Sequence, residues 1–376
     1  MVGNDNPPTW AGEKWMGIPM LKRARTRATT LAAMMLGVSS LPGSAASPKA
    51  DAQPAGACPA NANDRSICGI SNPEDMAPLA RSEWIIVSGY TPDALYSVSL
   101  RTRKVVNLVL GVRAGWDRKT YADCPGPLAP GALTAHGIAL TDSAAPSLFV
   151  INHGSREAIE VYRVRRHDAS LTWVGCVPIP ADMMANSLAH LKSGTLVVTS
   201  LGKAKTNFLP DIIAGRPTGG DVRLWSRDRG WRILPYSQGS GPNGLALAPD
   251  ERSIYVAMSG GREIVRMALD GKSKPVRSAQ MDILPDNLRW TAQGTLITTG
   301  MRYDPEVNAR CFQGQSCQPR FDVYEITPKT LAVKSLSGRF EPRPMPLPTT
   351  ALRVGGELWV SSVSGKNIAV FPLKPN

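Results

Sequence analysis

The sequence predicts an all-β protein, a six-bladed β-propeller, and three observations carry that reading. Short β-branched runs recur along the chain, separated by Gly, Asn, Asp and Ser-Gly turns. These runs group into a phrase that returns six times at intervals of roughly 45–65 residues, the length of a propeller blade with variable loops. No strongly amphipathic helix is visible after residue 80. A large sandwich is also all-β, but it does not predict a repeated phrase.

The chain opens on a segment that reads as an address. "MLKRARTRATTLAAMMLGVSSLPGSAAS" (20–47) has a basic start, an apolar middle and a small-residue end. That is the pattern of a secretory signal peptide over residues 1–46, with Met20 a candidate start and cleavage expected near Ala46. Its apolar middle is too short for a permanent membrane span. Residues 47–72, rich in Ala, Pro and Asn, are expected to be irregular, and the propeller is expected over 73–376.

The six phrases follow in order. "EWIIVSGYTPDALYSVSL" (83–100) is the first and "HGIALTDSAAPSLFVINHGSREAIEVYRV" (136–164) the second. "NSLAHLKSGTLVVTS" with "GDVRLWSR" is the third, and "NGLALAPDERSIYVAMSGGREIVRMAL" (243–269) the fourth. "DNLRWTAQGTLITTGM" with "FDVYEIT" is the fifth, and "TALRVGGELWVSSVSGKNIAVFPL" the sixth.

In a propeller the first strands of all blades enter the channel at one end, so the residues heading the phrases converge. Here these are Glu74 and Asp75 in "NPEDMAPL", His136 in "AHGIAL", Asn186 in "ANSLAHL", Asn243 in "GPNGLAL", and Asp286 with Asn287 in "LPDNLRW". Carboxylates and amide carbonyls are the donors a hard cation such as calcium takes. Glu74 and Asp286 supply two negative charges. Taken singly, Asn243-Gly244 reads as an ordinary turn dipeptide and Asn186 as a self-capping amide. Their shared position at the heads of successive repeats points to a site instead.

Read together, "PEDM", "AHGIAL", "LFVINHG" with "IEVY", "ANSL", "GPNGLALAPDERSIYVA" and "PDNLRW" resemble the paraoxonase/arylesterase family of calcium-dependent lactonases, within the wider gluconolactonase-like propellers. The resemblance spans roughly residues 70–370 and is close only in the motifs. It implies that Glu74, Asn186, Asn243, Asp286 and Asn287 hold a catalytic calcium. It implies that His136 and His153 form a histidine pair in which His136 activates water, with Asp286 as the alternative base. It also implies a second, structural calcium on Asp75 and the Ile138 carbonyl. The third ligand expected there is a carboxylate directly after the Asn of "ANSL", and this chain has Ser187. That departure puts the second ion in doubt.

The remaining features bound the function. Six cysteines in an exported chain point to disulfides. Local pairing gives 58–68, 124–176 and 311–317, with other connectivities open, and such bridges are expected to replace part of a missing ionic clamp. The formal charge is +13; residues 1–46 carry five basic and two acidic side chains, a net of +3, which leaves +10 on the remainder. Lys and Arg are dispersed without an aromatic-interleaved stripe, so the reading is a solvated basic surface, not a nucleic-acid interface. No GxSxG elbow, HExxH motif, P-loop or EF-hand loop occurs.

The expectation is therefore an exported calcium-dependent hydrolase of lactones or aryl esters. A non-catalytic binding propeller and a sugar-lactonase are the alternatives. His167 and His190 are read as satisfied core residues. Loops 111–135, 203–221 and 301–320 are expected to wall the pocket.

Overall fold

The computed structural model describes Cys58 and residues 65–375, so the predicted leader and most of the segment expected to be irregular lie outside the described residues. The described chain forms six antiparallel sheets in a ring, as the repeat predicts. Blade 1 runs Pro73–Pro78, Trp84–Gly89, Leu95–Ser99 and Val105–Asn107. Blade 2 runs Ala135–Leu140, Ser147–His153, Glu157–Val164 and Leu171–Pro178, with Arg113–Ala114 added in parallel outside. Blade 3 comprises Met183–His190, Leu196–Lys203, Val222–Ser226 and Gly230–Ile233. Blade 4 comprises Pro242–Leu247, Ser253–Met258, Glu263–Ala268 and Val276–Arg277. Blade 5 comprises Leu288–Trp290, Leu296–Met301, Phe321–Ile326 and Val333–Ser335. Blade 6 comprises Pro348–Val354, Glu357–Ser362 and Asn367–Pro372.

The fourth strand of blade 6 is Ile67–Cys68, which pairs with Asn367–Pro372 through Ile67 opposite Ile368. Sequence composition placed these residues in an irregular segment. The pairing arises because the last blade would otherwise leave an open edge, and the segment just before blade 1 covers it. Across this seam Nη2 of Arg103 in blade 1 donates to both carboxylate oxygens of Glu357 in blade 6, at 2.7 and 2.9 Å. Trp359, 1% exposed, shares the apolar cluster there with Ile70, Met76 and Val87. Trp359→Ala at the seam is expected to cost about 3–5 kcal/mol.

Packing between blades is what makes the ring. Six apolar clusters each join two neighbouring sheets, closing the circle from blades 1 and 2 round to blades 6 and 1. Each blade is a twisted sheet with apolar side chains on both faces, so it is covered only by its neighbours. The three disulfides join Cys58–Cys68, Cys124–Cys176 and Cys311–Cys317. Cys68 and Cys176 lie on outer strands of blades 6 and 2, whereas Cys311–Cys317 ties helix Pro305–Phe312 to the loop after it, and none bridges the inner strands. Two helices lie on one face, α1 (Leu209–Ile213) and α2 (Pro305–Phe312). Pro at the start of each and the Asp304 side chain capping Val307 N–H set where they begin.

One local feature positions the site. In five of the six inner strands the register slips by one extra residue at the head of the repeat. Pro73 and Met76 face Gly89 and Val87; Ala135 and Ile138 face Asn152 and Val150; Ala185 and Leu188 face Ser200 and Val198. The same step falls between Pro242 and Leu245 and between Pro348 and Ala351. A β-bulge re-aims the side chains it contains. The bulged residues are Glu74–Asp75, His136–Gly137, Asn186–Ser187, Asn243–Gly244 and Thr349–Thr350. Asn243-Gly244 is therefore a bulge within a strand and not a turn. Its glycine is needed because neighbouring inner strands nearly touch: a Cβ on Gly244 would lie 2.4 Å from Asn287 Cα, and one on Gly137 would lie 2.1 Å from Asn186 O.

Candidate metal and active site

The bulges bring Glu74, His136, Asn186 and Asn243, and the segment just before the inner strand of blade 5 brings Asp286, to the floor of one cavity, about 770 Å³ including its open mouth. Asn287 lies directly behind, fully buried, with its Nδ2 donating to Glu74 Oε1 at 2.8 Å and to Thr350 Oγ1 at 3.0 Å. Blade 6 adds Thr349 to the lining, and its hydroxyl donates to the Glu74 carbonyl. Nothing in the chain's pattern marks Thr349 or Thr350, because a hydroxyl is a weak ligand for a cation and common in any strand.

Four buried oxygens in this ring have no hydrogen-bond partner: Glu74 Oε2, Asn186 Oδ1, Asn243 Oδ1 and Asn287 Oδ1. Buried acceptors left unpaired cost about 1–3 kcal/mol each, and folds avoid them unless something else satisfies them. The amide nitrogens of the same residues are engaged, Asn243 Nδ2 on Ser259 Oγ at 3.1 Å and Asn186 Nδ2 on His136 Nε2 at 3.4 Å. All four oxygens are thus held facing away from other donors. The charges agree. Burial pushes the Glu74 carboxyl well above the usual carboxylate range, and Asp75 and Asp286 push it further. Asp286 borders the cavity and is surrounded by protein; burial and then Asp75 raise its carboxyl too. Two crowded carboxylates and three amide oxygens fit a hard divalent cation. The unpaired donors are carboxylate and amide oxygens with no thiolate among them, the kind of set a hard cation takes.

The histidines form a chain rather than an isolated pair. His136 Nδ1 lies 3.0 Å from His153 Nε2, and His153 Nδ1 lies 2.7 Å from Glu157 Oε2. Asn186 Nδ2 donates to His136 Nε2, so that nitrogen carries a lone pair; Nδ1–H then donates to His153, whose own Nδ1–H donates to Glu157. Burial, then the neighbouring His153, holds the His136 imidazole well below its ordinary value, so it rests neutral. The Ala185 carbonyl also lies 3.0 Å from His153 Nε2. A proton passed to His153 thus meets Ala185 on one side and Glu157 on the other. Glu157 was missed because it opens its strand as an ordinary exposed charge. Tyr90 packs edge-on to His136, ring centres 5.0 Å apart, and walls that side.

Asp75 and Ile138 lie elsewhere. Asp75 is fully buried, but its carboxylate already accepts from Met76 N–H at 2.8 Å, Ile138 N–H at 2.9 Å, Thr350 Oγ1 at 3.2 Å and the Arg289 guanidinium. A carboxylate has about four lone-pair positions, and these are taken. Arg289 also reaches the Ile138 carbonyl at 3.3 Å. Ser187 Oγ accepts from Leu245 N–H at 3.3 Å and adds no charge. These residues do not fit a second divalent ion. His167 and His190 do not reach the site, nor are they core residues: His190 is half-buried and stacks on Phe149 at 4.8 Å, and His167 is exposed in the turn between two strands of blade 2, where its carbonyl accepts from Trp84.

Above the ring the cavity walls are apolar: Met184, Leu201, Leu209, Ile212, Leu284, Met301, Phe312, Leu347 and Val363. Most belong to a seventh apolar cluster outside the six that join blades. Helix α1 and helix α2 supply Leu209, Ile212 and Phe312, from two of the loops expected to wall the pocket. Loop 111–135 does not line it. Its Trp116 and Tyr121 pack on blade 2, where Cys124–Cys176 pins the loop.

No protein-family model matches this chain, and no curated protein matches it. Solved structures do. A luciferin-regenerating enzyme superposes with a TM-score of 0.51 at 14% identity, covering 81% of this chain and 92% of that one. A gluconolactonase from Xanthomonas campestris gives 0.50 at 15% identity, covering 82% and 88%. The likeness is one of fold. At such identities no residue role transfers with it. No described helix is long and apolar enough to cross a membrane.

Proposed function

We propose that this chain is a calcium-dependent hydrolase of apolar lactones or aryl esters that works outside the cytoplasm. The observation that carries the reading is the set of four partnerless oxygens around two crowded carboxylates at the floor of an apolar cavity. Glu74, Asn186, Asn243, Asp286 and Asn287 would hold the ion. Bound there, calcium supplies Lewis acidity to an ester-type carbonyl.

The chain's own residues do the rest. The apolar walls hold the acyl or aryl part of the substrate and exclude water around it. His136 borders the cavity, and its Nε2 lone pair, met by Asn186 Nδ2 only at 3.4 Å, exchanges that long contact for the proton of the attacking water. Its Nδ1–H leads to His153, and Glu157 balances the charge that forms there. Asp286 borders the same space and is the second group able to take that proton. Three disulfides among the described residues accord with an oxidising compartment and with the expected leader.

A sugar-lactonase needs polar walls to bind ring hydroxyls, and here every polar lining residue lies at the floor or beside it. The test is hydrolysis of γ-lactones with alkyl tails of rising length, gluconolactone and phenyl acetate, each with and without chelator. Turnover that rises with tail length and stops on chelation supports the reading. Hydrolysis of gluconolactone alone moves it to the sugar-lactonase. No turnover of any ester with calcium bound makes the propeller a binding module.

A further inference from the structure

The bore of the propeller has a second feature. Below the ring, Arg289 enters from the inner strand of blade 5 with its side chain only 12% exposed. Its Nη2 contacts the fully buried Asp75 carboxylate and the Ile138 carbonyl, its Nε donates to the Met76 carbonyl at 2.9 Å, and its Nη1 donates to the Leu288 carbonyl at 3.1 Å. One guanidinium thus joins inner strands of blades 1, 2 and 5 through a carboxylate and three carbonyls. It also lines a second cavity at the far end of the bore, with Ile138, His190 and Trp290. Hence it stands between the two mouths.

We infer that Arg289 is a built-in cation that closes the centre of the propeller, so the chain takes one divalent ion and needs no second one to hold its blades. The donors around it are of the kind calcium takes, a carboxylate and backbone carbonyls, but the site's charge and lone pairs are committed to a side chain. A guanidinium suits the position because its planar fork reaches several oxygens at once and never loses its charge. Adjacent residues of one bulge have opposite fates. Glu74 faces the cavity with an unpaired oxygen, and Asp75 faces the bore with none. The ion count rests on the function proposed above; the role of Arg289 in holding the blades does not.

Two measurements on the full mature chain test this. The first is calcium content after dialysis, by elemental analysis. One ion per chain is expected, and two overturn the inference. None refutes the ion ring, and the count still agrees with a closed second site. The second is melting in chelator for wild type, Arg289→Met and the pair Asp75→Asn/Arg289→Met. Arg289→Met strands a buried carboxylate, so its melting temperature is expected to fall by about 10 °C or the variant to fail to fold. The double variant removes both charges and is expected to recover most of that loss. Arg289→Met melting with wild type, or a double variant no better than the single, overturns the inference.

Discussion

Replacing Glu74 with Gln is predicted to move two properties in opposite directions. The substitution keeps shape and keeps an oxygen for the Asn287 Nδ2 donor that now bonds Oε1 at 2.8 Å. It removes one of the ring's two negative charges and the unpaired Oε2 acceptor. Without calcium at pH 8, that relieves a buried carboxylate crowded by Asp75 and Asp286. An unsatisfied buried acceptor costs about 1–3 kcal/mol, so the metal-free variant is expected to melt ~2–6 °C above wild type. With calcium the sign reverses. A unit charge about 4 Å from a divalent ion is worth roughly 8 kcal/mol at an effective dielectric of 20, most of it offset by dehydrating both partners. A residue of about 3 kcal/mol weakens the ion by on the order of 100-fold. Differential scanning fluorimetry across a calcium titration reads both effects in one experiment. A variant that melts below wild type in chelator, yet shows the same calcium midpoint, would refute the ring as an ion site.

Three further outcomes follow from the same geometry. His136→Gln should leave the calcium midpoint unchanged and lower ester turnover on the order of 10²–10⁴-fold; full turnover removes the histidine base. Glu157→Ala should lower kcat roughly tenfold with KM unchanged, and Glu157→Gln, which still offers an acceptor to His153, should recover part of it; equal kcat in all three assigns Glu157 to the surface. The stability of the metal-free chain should depend on pH through three groups. Glu74 and Asp286 have raised values in the fold, so their contribution favours folding in acid and is lost as pH climbs through those values. His136, held low, acts oppositely: its contribution is full above the ordinary histidine value near 6.5 and is lost as pH falls below it. The calcium-induced rise in melting temperature should therefore grow from acid to neutral pH, and a flat response would contradict the crowded carboxylates.

The repeat of turn-bounded β-branched runs was enough to determine six blades, because each blade buries both faces and must draw on the same apolar alphabet. It also marked Glu74, His136, Asn186, Asn243 and Asp286, since a radial repeat carries equivalent positions to one mouth. It did not mark Thr349, Tyr90 or the apolar cover from α1 and α2, whose residue types are ordinary in strands and loops. Nor could it show that "PED" places one carboxylate in the cavity and the next in the bore, which is set by a single extra residue in the register of Pro73–Pro78. Arg289 is the clearest case. In the chain it is one more basic residue in "NLRW", and only the ring brings its guanidinium against Asp75, 214 positions away. Local pattern decides which strands form, whereas the partners of a buried charge depend on contacts between distant blades, and those exist only once the circle is closed.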